Sequence, residues 1–567
     1  MQALKDIIAA EISSFTGDVP ATMIKDVPPE IKGDFSFPCF ATAKKEGKNP
    51  QEYAEDLASK VQGGTIEKAE ANGGFLNITL DAKKIFGPVW KEFSASPTDF
   101  GRGKSKEKIL LEHTSANPNA PLHVGHIRNS IIGDSMVRIL RFAGYDTEAQ
   151  FLINDMGGQL AILACQLKDI YENYSESQTE KSGKKPDAWL GEQYIAANKN
   201  VDADEAASLQ KRYEAGDKDI RAIFDFMVKT SKKGVTETFS EYNIAIDSWV
   251  RESDFVFSGA VDEIIKRLKE TKYWFEKEGV CALDLEEFGI KKELVLLRSD
   301  GTTLYTTRDV AYHEWKLKQG RDCINVIANE QTLQQEQMRA ALKILGEKDM
   351  DKRVRHLSYE LVSVPGMKMS SRTGEFISAD ELLAEGISRA KKEISKRNMD
   401  IPKEETEKIA KAVATGAIRF NMVKITPLKP IEFRWEDALT FDGESAPYMQ
   451  YSHARACRIL ERAGVTSPPA GIDFSKVPSL KDEERELLLW FIRFGEVIEE
   501  SASALKPNLV ANYLIALAER FNRFYFKCPV LDAEEETKNL RLAIVFTFKT
   551  IIASGLETLG IEALERM

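Results

Sequence analysis

Apolar positions recur along the chain at two different periods, and the switches between them divide it into parts. The opening residues MQALKDIIAAEI repeat apolar side chains at helical spacing. FLNITL, residues 75–80, alternates instead as a strand, directly after the turn pair Gly73-Gly74. These patterns predict a small α/β module over residues 1–95, and the polar, breaker-rich stretch 94–108 reads as a linker out of it. KILLEH, residues 108–113, is the short unbroken apolar run of a buried parallel strand. The loop TSANPNAPLHVGH follows, then a helix from Ile127 to about Phe142, stopped by Gly144. Its apolar residues Ile127, Ile131, Ile132, Val137, Ile139 and Leu140 suit packing on a sheet. Strand, loop and helix in this order open a nucleotide-binding α/β fold.

Residues from about 160 to 290 are charged, helical in period and poor in strand signal, and read as an insertion into a Rossmann-like domain spanning 96–380. Strand patterns return in ELVLL (293–297), CINVIA (323–328) and Tyr359–Val364. Beyond residue 380 nearly everything is helical, with TSPPAGIDFSKVP (466–478) as a loop between helices. This half divides into a helical region 381–440 and an all-α domain 441–567.

Composition changes this picture little. The chain has 567 residues, 43% hydrophobic and 29% charged, which is the make-up of a soluble globular protein. It has no run of about 18 apolar residues and no signal-peptide pattern, so a cytoplasmic protein without a membrane span is expected. Six scattered cysteines form no CxxC pattern and predict no metal site. The net charge of −11 argues against a general nucleic-acid binder, while leaving room for local patches that read a folded RNA.

Two of the six histidines stand three apart in His123-Val-Gly-His126, at a strand-to-helix turn. Such a turn offers free backbone N–H groups and the positive helix end to an anion. The imidazoles add donors for a triphosphate, and Gly125 allows close approach to a nucleotide. A second feature is the polar loop Lys368-Met-Ser-Ser-Arg-Thr-Gly374. Its two cations, hydroxyls and glycine suit closure over a leaving pyrophosphate.

HVGH and KMSSR resemble the HIGH and KMSKS signatures of class I aminoacyl-tRNA synthetases. The strings EHTSANPNAPLHVGHIRNSIIGD, SDGTTLYTTRDVAYH, VIANEQTLQ, VPGMKMSSRTG and APYMQYSHARACRIL narrow the resemblance to the arginyl-tRNA synthetases, over nearly the whole chain. The resemblance implies ATP-dependent ligation of L-arginine to tRNA(Arg) through an adenylate, with Mg2+, by a monomer. His123, His126 and Lys368 would be catalytic. His123, Gly125, His126, Lys368, Met369, Ser370 and Arg372 would hold ATP. The N-terminal module would be the family's additional tRNA-binding domain, residues 381–440 its stem-contact region, and residues 441–567 its anticodon-binding domain.

Selecting a guanidinium calls for carboxylates in fork geometry and a flat surface. Tyr305 and Asp309, four apart in LYTTRD, share a helix face and can present a ring with a carboxylate. By resemblance they contact the substrate side chain, Glu252 supplies a second acid, and Glu112, Asn117 and Gln331 lie against the amino acid. The plainer roles at these positions are a loop turn for Asn117, a structural ion pair for Glu112 and a helix N-cap for Asp309. Asn72, Phe75 and Asn77 match the family's contact to the tRNA elbow; the alternative is an ordinary strand with Phe75 in the core. Tyr451, His453, Arg455 and Arg458 offer aromatic and cationic surface to an anticodon, or simply a solvated helix face.

The loop departs from the resemblance in one place. KMSKS carries a second lysine, where this chain has Ser371 followed by Arg372. Arginyl enzymes lacking that lysine resemble one another in a lysine just before HIGH, where this chain has Ala120. The competing readings are a smaller HxGH nucleotidyltransferase, which leaves the helical C-terminal third unexplained, and a catalytically silent synthetase-like RNA-binding protein. With Lys368 as the working cation and Arg372 in support, Lys368→Ala slows adenylate formation far more than it weakens ATP binding. Near-normal single-turnover kinetics in that variant would exclude the assignment.

Overall fold

The computed structural model describes residues 2–27, 31–171, 182–365, 376–396, 402–474, 476–477 and 479–567. The loop Lys368–Gly374 therefore lies outside the described residues.

The N-terminal helix Gln2–Thr16 and the helix Pro50–Lys60 accompany a four-stranded antiparallel sheet. Its strand order is Lys25–Asp26, Phe35–Pro38, Phe75–Leu80, Ile66–Asn72. Gly73 and Gly74 have φ of 58° and 82°, so both central turn residues are left-handed, as a tight hairpin matching the strand twist requires. Alternation then buries Leu76, Ile78 and Leu80 with Phe35 and Phe37, and turns Phe75 to the opposite face.

The main sheet is parallel throughout. Its order is Val354–Tyr359, Asp322–Ala328, Lys108–Glu112, Asp146–Ile153, Ser248–Arg251. The chain builds outward from Lys108–Glu112 on one side and then returns to build on the other. The crevice between Lys108–Glu112 and Asp322–Ala328, at their carboxyl ends, is thus the switch point where such sheets bind ligands. Ile109, Leu110 and Leu111 are fully buried, which is why this strand reads as an unbroken apolar run.

Two strands differ from expectation. Ser248–Arg251 lies inside the segment taken as insertion, yet it is the edge of the main sheet. All four of its residues are half-buried, so neither alternation nor an apolar run marks it. The strand expected at Tyr359–Val364 lies earlier, at Val354–Tyr359; Val362–Ser363 leaves the sheet to pair with Ile431–Glu432. The insertion holds the helices Pro186–Asn200, Ala203–Glu214 and Lys218–Glu241, followed by a small antiparallel sheet that includes Leu294–Leu297.

The helix Val124–Phe142 packs between the main sheet and the C-terminal helices, and one continuous apolar core runs through all three. The helix Glu535–Thr558 is long and apolar enough to cross a membrane by length and composition, but 67% of its most apolar window is buried among its neighbours. Inside the core the tolerance for added atoms is small. A Cβ on Gly133 would lie 2.3 Å from the Cβ of His113, whereas one on Gly87, in the helix Ala82–Ala95, meets beyond its chain neighbours only a Phe474 ring carbon at 4.0 Å. Gly133→Ala should lower stability by about 1–3 kcal/mol through overpacking. Gly87→Ala should gain little, because a β-carbon on helical backbone directly before Pro88 meets the proline ring and offsets the gain in helix propensity. Denaturant unfolding of the two variants checks both outcomes.

Candidate active site

The loop after strand Lys108–Glu112 starts with two non-glycine residues in the left-handed region, Thr114 (φ 70°) and Ser115 (φ 45°). Such backbone costs on the order of 1–3 kcal/mol per residue and persists only where neighbours enforce it. The helix Val124–Phe142 provides that enforcement. Asn129 Oδ1 accepts from Thr114 N at 2.7 Å, and the Ser130 and Thr114 hydroxyls lie 2.7 Å apart.

His123 is the N-cap of this helix. Its Nδ1 accepts from the backbone N–H groups of Gly125 (3.1 Å) and His126 (3.3 Å), while His126 Nδ1 accepts from His123 N at 3.4 Å. The two rings stack, with centroids 3.7 Å apart and an interplanar angle of 19°. The expectation of free N–H groups is overturned by this capping. Val124 N donates to Ile377 O and Ile127 N to His123 O, so the first turn already has its partners. What remains for an anion is a pair of side-chain donors. With Nδ1 accepting in both rings, each neutral imidazole carries its proton on Nε2. Burial lowers the pKa of both, that of His126 to about 3, with His123 adding repulsion, so both stay neutral near pH 7.

Both flanks of the segment 366–375 are fastened to the same helix. On the downstream side, the Phe376 ring lies 6.0 Å from that of His123, and Ala379 N donates to Leu122 O at 2.7 Å. On the upstream side, the fully buried Arg128 donates to the carbonyls of Glu360, Leu361 (2.7 Å), Pro427 (3.1 Å) and Lys429 (2.7 Å). Sequence reasoning missed Arg128. The available signal was a lone cation three and four residues before Ile131 and Ile132, on the apolar face of the helix.

Tyr305 and Asp309 open the helix Tyr305–Lys318, with Leu304 rather than Asp309 as N-cap. Tyr305 is half exposed. Asp309 Oδ1 lies 3.0 Å from His313 Nδ1, and the far ring nitrogen of His313 is 2.8 Å from Asn325 Nδ2. Asn325 Oδ1 accepts from the buried Lys316 ammonium at 3.1 Å, and Lys316 also pairs with Glu112. One polar chain thus joins Asp309 to the end of the central strand. Burial opposes the charge on Glu112, but Lys316 and His313 outweigh it and hold its pKa below the usual value. Both carboxylate oxygens of Glu112 are engaged, the second by Ser115 Oγ at 2.8 Å.

Glu252 is buried and accepts from Arg308 Nε at 2.8 Å. The Asn154 amide, with its nitrogen turned toward the carboxylate, reaches the other oxygen at 2.6 Å. Burial pushes the Glu252 carboxyl up to about 7, even beside Arg308. Asn117 and Asn119 both donate to Gln159, at 3.1 and 3.2 Å. Gln331 is exposed in the short turn Asn329–Gln331, at the carboxyl end of the strand Asp322–Ala328. Tyr305, Arg308 and Asn154 line an open cavity of about 530 Å³.

Comparison with known proteins gives this arrangement a family. The family model described as "tRNA synthetases class I (R), catalytic domain" matches residues 98–435. "Arginyl tRNA synthetase N terminal domain" matches residues 2–80, and "DALR anticodon binding domain" matches 449–567. The arginine–tRNA ligase of Methanocaldococcus jannaschii is 39% identical over 584 residues, covering 100% of this chain and 99% of its own. The chain belongs to the arginyl-tRNA synthetases. The Thermus thermophilus arginyl-tRNA synthetase structure matches with a TM-score of 0.80 at 30% identity, covering 100% of this chain and 99% of the other. That of Plasmodium falciparum shares the fold, with a TM-score of 0.79 at 20% identity over the full length of both.

Two further surfaces of this synthetase hold residues expected from the sequence to meet tRNA. In the N-terminal module, Asn72 pairs with Phe75 across the hairpin, and Phe75 is 41% exposed rather than in the core. Its ring meets the exposed Phe40 edge-on at 5.1 Å, a neighbour that sequence reasoning missed because Phe40 is distant in sequence. Asn77 is buried and accepts from Ser36 Oγ at 2.9 Å. In the C-terminal domain, the Arg455 guanidinium lies over the rings of Tyr525 (4.3 Å) and Tyr451 (4.8 Å). Together with Arg458 and Met567 these residues line a cavity of about 270 Å³. His453 does not face outward as expected: it is buried, with Nδ1 2.8 Å from Leu564 O.

The depressed histidines carry a pH signature. The folded protein leaves His126 unprotonated to about pH 3, while an unfolded histidine binds a proton below about pH 6.5. Its contribution to stability is therefore fully present above about pH 6.5 and is lost as pH falls toward 3. Histidine nitrogen NMR should show a neutral Nε2–H ring for His126 at pH 6, with His123 titrating below the ordinary histidine value. Ordinary titration of both near pH 6.5 would contradict the capped geometry.

Proposed function

We propose that the chain ligates L-arginine to tRNA(Arg) in two steps, with ATP. The arginine carboxylate attacks the α-phosphorus to give arginyl-adenylate and pyrophosphate. The terminal ribose of the tRNA, through its 2′-hydroxyl by class I resemblance, then attacks the activated carbonyl and releases AMP. The observation that carries this reading is the stacked His123–His126 pair, placed at the sheet's switch point and holding two neutral Nε2–H donors. Neutral donors stabilise negative charge that develops on phosphate without themselves changing protonation state. Lys368, Met369, Ser370 and Arg372 would meet the nucleotide, from a segment whose flanks are held by the same helix. Mg2+ would arrive as an ion carried by the triphosphate. It would neutralise phosphate charge.

Tyr305 and Asp309 receive the guanidinium, as ring and carboxylate on one helix face. Glu252 supports that pocket while bound to Arg308, and Glu112 supports it through Lys316, His313 and Asp309. Asn117 and Gln331 lie at the carboxyl ends of the two central strands, where the amino-acid backbone would sit. Asn72, Phe75 and Asn77 form a tRNA-facing surface; of the three, Phe75 offers the stacking face and Asn77 braces the strand. Arg455 with Tyr451, Tyr525 and Arg458 fits unstacked anticodon bases, which single-stranded RNA recognition places on aromatic rings and guanidinium planes. The enzyme is read as a cytoplasmic monomer.

Pyrophosphate exchange with arginine, lysine, glutamate and glutamine, each with and without tRNA, tests the assignment. Exchange is expected with arginine alone, and only when tRNA is present. No exchange under any condition would favour a silent RNA-binding protein. Asp309→Asn should raise the KM for arginine on the order of 10- to 100-fold, matching the roughly 1.5–3 kcal/mol of a charged hydrogen bond, with the KM for ATP unchanged.

A further inference from the structure

The helix Tyr305–Lys318 carries, besides Tyr305 and Asp309, two buried polar side chains, His313 and Lys316. Asn325, on the strand Asp322–Ala328, is buried as well and bonds to both. The hydrogen bonds among them fit in only one way. A lysine ammonium donates and never accepts, so the Asn325 atom 3.1 Å from Lys316 Nζ is its oxygen. Lys316 is held from two further sides, by the Glu112 carboxylate and by the Tyr312 ring, whose centroid is 4.0 Å away.

The other end of the Asn325 amide is therefore the NH2 group. It donates to Gln335 Oε1 at 2.7 Å and faces His313 Nε2 at 2.8 Å. An amide NH2 accepts nothing, so Nε2 is the acceptor and carries no proton. The ring proton is left on Nδ1, which lies 3.0 Å from Asp309 Oδ1 and 2.8 Å from the Asp309 carbonyl oxygen one helical turn back. Through one amide, the buried lysine thus fixes the tautomer of His313, and it is the opposite of that in His123 and His126.

Asp309 is the most exposed member of this network, with 25% of its side chain accessible against 13% for Glu112. A side chain at a pocket mouth is free to change rotamer unless something holds it. Here a buried ring N–H holds Oδ1, which sets the plane of the carboxylate. Each carboxylate oxygen accepts two hydrogen bonds, so Oδ1 can serve His313 and still take part in a two-pronged contact. A guanidinium presents its donors in a planar fork, and a carboxylate turned out of that plane loses one of the two bonds.

We propose that His313 is a positioning residue for the substrate arginine: its Nδ1–H, in the tautomer imposed by Lys316 and Asn325, orients Asp309 for the guanidinium. The inference rests on the proposed function, which places the guanidinium at Asp309.

The test is pyrophosphate exchange in the presence of tRNA, on the wild-type enzyme, His313→Asn and His313→Gln. Asparagine is short enough to put its amide nitrogen near the place of Nδ1, whereas glutamine carries its amide out to the place of Nε2. Glutamine is the closer match in volume, so packing alone would favour it. His313→Gln raises the KM for arginine roughly tenfold, with kcat and the KM for ATP within about twofold, and His313→Asn stays within about threefold of wild type. A wild-type KM in the glutamine variant, or an equal loss in the asparagine variant, would overturn the inference. So would a loss shared equally by ATP or confined to kcat. Nitrogen NMR of the wild-type enzyme needs no substitution and decides if neither variant folds. His313 should show a protonated Nδ1 and a bare Nε2, with the Nδ1 resonance shifted on saturation with arginine. An Nε2-protonated ring overturns the inference, as does an Nδ1 resonance unmoved by arginine in an enzyme that exchanges with arginine. A wild-type enzyme without exchange on arginine overturns the proposed function itself, an outcome distinct from these.

Discussion

His123 and His126 cap their own helix, and the rest of the site depends on that reciprocal hydrogen bonding. By accepting backbone N–H groups at Nδ1, the two rings stop the helix at a defined residue, stack on each other and direct their protons to Nε2. A helix start usually binds anions through its free amides. Here those amides are already satisfied, and the binding capacity is moved outward onto two neutral imidazoles. Burial keeps the rings neutral, so their donor function does not change across the physiological pH range.

The capped helix is also the member against which other parts are held. Arg128 grips the chain on one side of the signature loop, and the Leu122–Val124 backbone grips it on the other. Asn129 and Ser130 enforce the left-handed Thr114–Ser115 backbone, and Asp134 meets Arg419. Most of these are polar groups inside an otherwise apolar contact. They fix direction as well as proximity, which apolar packing alone does not do. The amino-acid pocket is organised in the same manner. Glu112 and Glu252 are each satisfied by a cation of the protein, Lys316 and Arg308, leaving Asp309 and Tyr305 as the less committed groups at the mouth.

What could be read before folding was whatever local chemistry writes into contiguous residues. The unbroken apolar run KILLE marks a strand buried on both faces. HVGH lies at a strand-to-helix turn, and Tyr305 and Asp309 fall four apart on a helix. The same strings sufficed to reach the family. Each of these signals depends on side chains within one or two turns of each other, where spacing alone determines which face they share.

Tertiary structure decided everything that depends on residues meeting across the chain. The edge strand Ser248–Arg251 has no pattern of its own, because its half-buried residues are selected by the neighbour Asp146–Ile153 rather than by alternation. Whether the helix start is open to an anion followed from His123 folding back on its own backbone. Whether Glu112 and Glu252 are free followed from Lys316 and Arg308, 204 and 56 residues away. Burial of His453, exposure of Phe75 beside Phe40, and the pairing of Asp134 with Arg419 were settled in the same way. Hydrophobic period determines which side of an element faces inward. Which polar partner waits there is set by long-range packing, and in this protein those partners determine which donors and charges remain available for chemistry.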